Sequence, residues 1–140
     1  HQVPSRDLLT KDLERMMNGQ AEFWEAASRH MAMMAKANGA AYVHIIQPTM
    51  LFEVGKSIKS VKEKNPYDYL REPLKVGYPK IISRVDKLRM DGITIIDGTS
   101  LFDDIDEHVY TDDCCHYNVQ GMEMLSDLVV QGVAAAYPPK

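Results

Sequence analysis

The chain has 140 residues, 45% of them hydrophobic and 26% charged, and 16 Lys and Arg against 20 Asp and Glu leave a net charge of −4. That balance is close to the average for globular domains, so disordered, collagenous and coiled-coil classes are excluded, and the acidic excess argues against a nucleic-acid surface held by counterion release. No apolar run approaches the roughly 20 residues a bilayer requires, so no membrane span is expected.

One domain over residues 1–140 is the expectation from length. The start, His1-Gln2-Val3-Pro4-Ser5-Arg6-Asp7, has neither the apolar stretch of a signal peptide nor an initiator methionine, and reads as a processed or excised chain. In the first long segment Leu13, Met16, Met17, Trp24, Ala27, Met31 and Met34 recur at helical spacing, with charged residues mostly between them. The methionine stripe reads as core packing. Asn18-Gly19 is a place where this segment could split, and Asn38-Gly39 is its C-terminal stop.

Residues 40–46, Ala-Ala-Tyr-Val-His-Ile-Ile, form a short apolar run closed by Gln47-Pro48, which predicts a buried strand. His44 inside it reads as a packing histidine. Residues 49–76 have a weaker pattern and read as a surface excursion, with Lys56, Lys59, Lys62 and Lys64 as a solvated face. Helical spacing returns at Tyr78, Ile81, Ile82, Val85 and Leu88, Asp91-Gly92 ends that helix, and Ile93-Thr94-Ile95-Ile96-Asp97 is a second strand. A last helix begins near Val119, with Met122, Leu125, Val129 and Val133 on one face. Helix, tight turn and apolar strand thus appear twice, the pattern of an α/β fold with parallel strands.

The reactive groups concentrate in Tyr110-Thr111-Asp112-Asp113-Cys114-Cys115-His116-Tyr117-Asn118, between the second strand and the last helix. In parallel α/β sheets, ligands and catalytic groups gather beyond the carboxyl ends of the strands, where this loop belongs. A carboxylate three residues before a histidine can accept a hydrogen bond from one ring nitrogen and leave the other as a general base. An acidic turn capping the last helix has the same spacing. Cys114 and Cys115 are neighbours, so they cannot staple distant segments; a vicinal disulfide is open to them, and a metal site on successive thiolates is awkward. No His-x-x-x-His or Cys-x-x-Cys spacing occurs, and no metal or cofactor is expected. His1, His30 and His108 read as surface or half-buried polar groups.

The string Tyr110-x-Asp-Asp113-Cys-Cys-His116-Tyr-Asn118-x-x-Gly121-x-x-x-Leu125, leading into an apolar C-terminal helix, resembles the last block of the SGNH (GDSL-type) hydrolases. The helix and strand that end in Gln47-Pro48 look like the family's penultimate αβ unit, and Ile95-Ile96-Asp97-Gly98-Thr99-Ser100-x-Phe102 looks like its last strand. The resemblance covers roughly residues 20–136, and its specific part is Asp-x-x-His with the following glycine. It implies a partial three-layer α/β/α, flavodoxin-like (SGNH hydrolase) fold. It makes His116 the general base and Asp113 its orienting carboxylate, with Asp112 as the fallback for that role. The family's Gly-Asp-Ser nucleophile block and its oxyanion Gly and Asn blocks do not occur here. Gly98-Thr99-Ser100-Leu101 differs from Gly-Asp-Ser-Leu at one position, but it stands only 16 residues before His116, whereas the family places most of its fold between nucleophile and base.

The resemblance therefore implies the C-terminal part of a serine esterase or lipase-like hydrolase, supplying the His-Asp half of a Ser-His-Asp triad. Its substrate would be an ester, with acetylated carbohydrates and lipids as candidates. Two parallel strands would leave a sheet edge and apolar faces open, so a missing N-terminal half or an oligomeric partner is expected. The alternative is a non-catalytic α/β binding module that lacks the serine nucleophile. A third arrangement, in which one of Ser5, Ser28, Ser57, Ser60, Ser83, Ser100 or Ser126 completes a triad, is decided by its distance to His116. The compartment is left open, and becomes extracytoplasmic if an upstream signal was removed.

Overall fold

The computed structural model describes residues 6–52, 68–112 and 114–138. The element order is α1 (Arg6–Ala37), β1 (Val43–Ile46), α2 (Asp68–Ile82), α3 (Val85–Met90), β2 (Thr94–Asp97) and α4 (Val119–Ala136). β1 and β2 form a two-stranded parallel sheet, with Val43 opposite Thr94 and Ile46 opposite Asp97. The protein is a mixed α/β structure, as the repeated helix–strand pattern predicts. Residues 56–64, expected as a solvated lysine face, lie outside the described residues. Among the described residues no helix is long and apolar enough to cross a membrane.

The two strands are entered in the same way. Gly39 and Gly92 both take positive φ, 67° and 81°, directly after a helix. The N–H of Gly39 bonds the Lys36 carbonyl and that of Gly92 bonds the Arg89 carbonyl, so each glycine turns the chain out of its helix and aims it at the sheet. These turns use up residues 40–42 and 93, and each strand is correspondingly shorter than its apolar run.

Two departures from the sequence expectation have local causes. Asn18-Gly19 does not split α1, which is continuous over 32 residues. A glycine inside a helix costs only about 1 kcal/mol relative to alanine, and packing against α2 outweighs that. The helices approach closely there, because a Cβ on Gly77 would stand 3.0 Å from the Met17 sulfur. Conversely, the single helix expected from Tyr78 to Leu88 is two, α2 and α3. At the junction the Arg84 N–H bonds the Ile81 carbonyl (2.9 Å), a tighter spacing than the α-helical one, while the Ser83 hydroxyl donates to the Lys80 carbonyl at 2.8 Å. α2 also begins earlier than expected, taking residues 68–76 out of the surface excursion.

The core divides along the alternation of the strands. Ile93 and Ile95 join Ile46, Val85 and Leu88 in a buried cluster that Trp24, Ala32, Tyr78 and Ile81 cover from α1 and α2. Ile96 points the other way, where its side chain meets Gly132 of α4 so closely that a Cβ there would overlap it. Helices thus lie on both faces of the sheet. Ion pairs fasten the first face: Glu25 receives Arg29 (2.8 Å), Arg84 (3.2 Å) and Lys87 (2.8 Å), joining α1 to α3. The hydrogen bond from Lys87, with the charges of Lys87, Arg29 and Arg84, outweighs desolvation and holds the Glu25 carboxyl below its ordinary pKa.

Apart from Met17, which packs against α2, the methionine stripe is not core. Met31, Met33 and Met34 are exposed, as are Met16 and Phe23, because α1 turns Ala21 and Ser28 inward instead. Ser28 is fully buried and bonds His44 Nδ1 at 2.8 Å, the Tyr42 hydroxyl reaches the same nitrogen at 3.2 Å, and the Trp24 ring lies 4.7 Å from the imidazole. His44 is thus the satisfied packing histidine that its place in the strand predicts. Burial lowers its pKa. An imidazole that titrates lower folded than unfolded favours the fold above its unfolded value of about 6.5 and loses that contribution as pH falls below it. Urea midpoints should therefore drop between about pH 7.5 and pH 5, and the drop should shrink in His44→Gln; an equal drop in both proteins would remove His44 from the account.

Candidate functional site

The reactive loop is built on an aromatic floor. Phe102, fully buried, sets its ring edge-on to Tyr110 and Tyr117, with centroids 5.6 and 5.5 Å away. Tyr110 and Tyr117 form an antiparallel bridge, flanked on the tip side by the N–H of Thr111 bonding the His116 carbonyl (2.8 Å) and on the other by that of Asn118 bonding the Val109 carbonyl (2.9 Å). The chain therefore leaves the floor at Tyr110, turns, and returns at Tyr117 with Asp112 and His116 at the tip.

Three contacts lash this tip to the segment that follows β1. The Tyr117 hydroxyl donates to the Pro48 carbonyl at 2.6 Å, and the Cys114 carbonyl accepts from the Met50 N–H (3.1 Å) and the Thr49 hydroxyl (3.2 Å). The tip consequently sits at the carboxyl ends of the parallel strands, where the chain order placed it. Behind it, Asn118 caps α4 by accepting from the Gly121 N–H at 2.9 Å, while its amide donates to the His108 carbonyl at 2.6 Å. Position 121 admits only glycine at this spacing, since a Cβ would lie 2.6 Å from the Val109 carbonyl oxygen.

At the tip the Asp112 carboxylate is divided between two tasks. Oδ1 accepts the backbone N–H groups of Cys114 (3.0 Å), Cys115 (2.9 Å) and His116 (3.1 Å), and Oδ2 pairs with Nδ1 of the His116 ring. Burial pushes this carboxyl's pKa up, but the His116 ring and the three N–H donors together hold it well below the usual carboxylate range. Asp112 is therefore ionised at neutral pH, Nδ1 of His116 is the donor, and Nε2 is left as the basic nitrogen. The His116 side chain is 78% exposed, against 25% for Asp112, so the ring is open to an approaching group while its anchor is sheltered.

Of the sequence-predicted site residues, His116 stands in this pair, and Asp113 lies outside the described residues. Asp112, the fallback, is the carboxylate that meets the ring among the described residues. The adjacent Cys114 and Cys115 are joined as a vicinal disulfide. No described serine donates to His116: Ser28 bonds His44, Ser83 bonds the Lys80 carbonyl and Ser126 bonds the Met122 carbonyl. Ser5, Ser57 and Ser60 are outside the described residues. Thr99, not Ser100, takes the turn role after β2, both its N–H and its hydroxyl bonding Asp97.

Among the described residues no group of three or more His, Cys, Asp or Glu side chains is placed to hold a metal ion. An open cavity of about 1020 Å³ lies at the opposite end of the sheet, where the chain enters β1 and β2, bordered by Arg29, Lys36, Tyr42, Lys87 and Asp91. Arg29 and Lys87 are already neutralised there by Glu25 and Asp91. Compared with protein-family models, curated proteins and solved structures, the chain finds no match.

Proposed function

We propose that this chain is the C-terminal part of an SGNH-type ester hydrolase, contributing the histidine and carboxylate of a Ser-His-Asp triad to a three-layer α/β/α fold completed by further strands. The carrying observation is the Asp112–His116 pair, with a sheltered carboxylate on Nδ1 and an exposed ring at the carboxyl ends of two parallel strands. A serine from the completing part would attack the ester carbonyl while Nε2 of His116 takes the hydroxyl proton. The imidazolium, held by the carboxylate, then gives that proton to the departing alkoxide, and a water repeats the cycle on the acyl-enzyme. Acetylated carbohydrates and lipid esters are the candidate substrates.

The sheet supports a completing part. Parallel strands are normally covered on both faces, yet Val43 and Ile45 of β1 are only half-buried and β1 pairs with β2 alone among the described residues. Phe23, Met33 and Met34 of α1 and Val130 of α4 are exposed as well. The second reading, a non-catalytic α/β binding module, rests on the lack of a described serine at His116.

One experiment separates the two. A longer protein that continues upstream of His1 should cleave p-nitrophenyl acetate and lose that activity when a fluorophosphonate labels a serine outside residues 1–140. An unlabelled, inactive protein, with residues 1–140 folding as a stable monomer, would establish the binding module instead.

A further inference from the structure

The disulfide lies inside the turn that carries the Asp112–His116 pair, and it joins neighbours in sequence. Such a bond closes no long loop, so it adds little to the constraint of the chain as a whole. What it restricts is local. It ties together the side chains of Cys114 and Cys115 and so limits the backbone torsions of the two residues whose N–H groups, with that of His116, converge on Asp112 Oδ1. Both flanks of the turn are held independently of the sulfurs. The Cys114 carbonyl is anchored by Met50 and Thr49, and the His116 carbonyl by the Thr111 N–H and hydroxyl.

We propose that the Cys114–Cys115 disulfide is a thiol-responsive switch for the Asp112–His116 pair, closed when oxidised and opened by a dithiol reductant. The inference rests on that pair being the working part of the site. Cys114 is buried and Cys115 partly exposed, so the reductant's thiolate attacks the Cys115 sulfur. The S–S bond breaks, Cys114 leaves as a thiolate and takes up a proton, and a mixed disulfide forms at Cys115. The second thiol of the reductant then displaces Cys115 as a thiol. The protein has gained two electrons and two protons, and the dithiol has become a disulfide. With the ring open, the Cys114 carbonyl anchor still holds the peptide that carries the Cys115 N–H, but the torsions on either side of that peptide lose their covalent limit and the N–H groups of Cys114 and His116 no longer stay aligned on Asp112. The carboxylate loses those donors, which help fix its direction toward His116, while the Phe102, Tyr110 and Tyr117 floor is untouched.

The test reads the His116 Nδ1 proton by NMR in the chain before and after dithiothreitol, with thiols counted by mass after alkylation and far-UV circular dichroism as the fold control. Reduction should expose two thiols, accelerate exchange of that proton several-fold and leave the circular dichroism unchanged. The double variant Cys114→Ser/Cys115→Ser should show the faster exchange without reductant and no response to it. Identical exchange in the oxidised, reduced and double-variant chains overturns the proposal, as does a chain that keeps two free thiols after mild oxidation. Ester hydrolysis by the longer protein is a separate readout. If it is absent while the exchange still responds, the hydrolase reading fails and the switch stands; if hydrolysis is present but indifferent to reduction, the switch fails alone.

Discussion

On the proposed hydrolase reading, in a longer protein that supplies the serine, His116→Ala should lower kcat for ester hydrolysis by about 10⁶-fold and Asp112→Asn by about 10⁴-fold, with KM nearly unchanged in both. The asymmetry follows from the geometry. In the proposed mechanism His116 holds the proton in transit, so its removal would leave the serine without a base. Asn at position 112 keeps the side chain's shape and an oxygen for the N–H groups of Cys114, Cys115 and His116. The atom facing the ring becomes an NH₂, which cannot accept from Nδ1. The imidazole then carries its proton on Nε2, the nitrogen that must be basic. Asp113→Asn is the matched comparison, since the Asp-x-x-His spacing assigns the orienting role to Asp113 and the observed pairing assigns it to Asp112. A steady-state comparison in which Asp112→Asn loses the rate and Asp113→Asn keeps it agrees with the pairing. The reverse result returns the role to Asp113.

Phe102→Ala should destabilise the fold by about 3–5 kcal/mol, the range for truncating a fully buried aromatic ring. Phe102 is 0% exposed and touches both tyrosines that begin and end the reactive turn. The loss combines burial of the ring with a cavity that Tyr110 and Tyr117 cannot fill, since the Tyr117 hydroxyl is tied to the Pro48 carbonyl. Phe102→Leu, which retains much of the volume, should cost about 1 kcal/mol. Urea unfolding followed by circular dichroism measures both. A midpoint for Phe102→Ala equal to that of the parent would mean the aromatic floor does not support the turn.

Much of the architecture is legible in local chemistry. Asn38-Gly39 and Asp91-Gly92 announce two helix ends, and the apolar runs after them announce two parallel strands, because glycine at positive φ and β-branched runs act over a few residues. The methionines of α1 show where such reading stops. Their helical spacing is real, but spacing alone does not say which side of a helix meets the rest of the protein. Ser28 and Trp24 meet His44 of β1 and Ala21 is buried, whereas Met31, Met33 and Met34 face outward. The break between α2 and α3 was hidden for a similar reason, since an apolar helical period runs through Ser83 and Arg84, where the backbone bonding tightens to the Ile81 carbonyl.

The sequence by itself determined the class of structure, the alternation of helical segments with two strands, and the segment in which the reactive groups collect. It also determined that a carboxylate and a histidine stand within one turn of each other. Tertiary structure decided which group meets which. The bridge between Tyr110 and Tyr117, the ties to Pro48, Thr49 and Met50, and three converging N–H donors aim the Asp112 carboxylate at His116 Nδ1. Hydrogen bonds act over about 3 Å and depend on angle, and residues far apart in the chain set that distance and angle here; sequence spacing limits the candidates without choosing between neighbouring carboxylates.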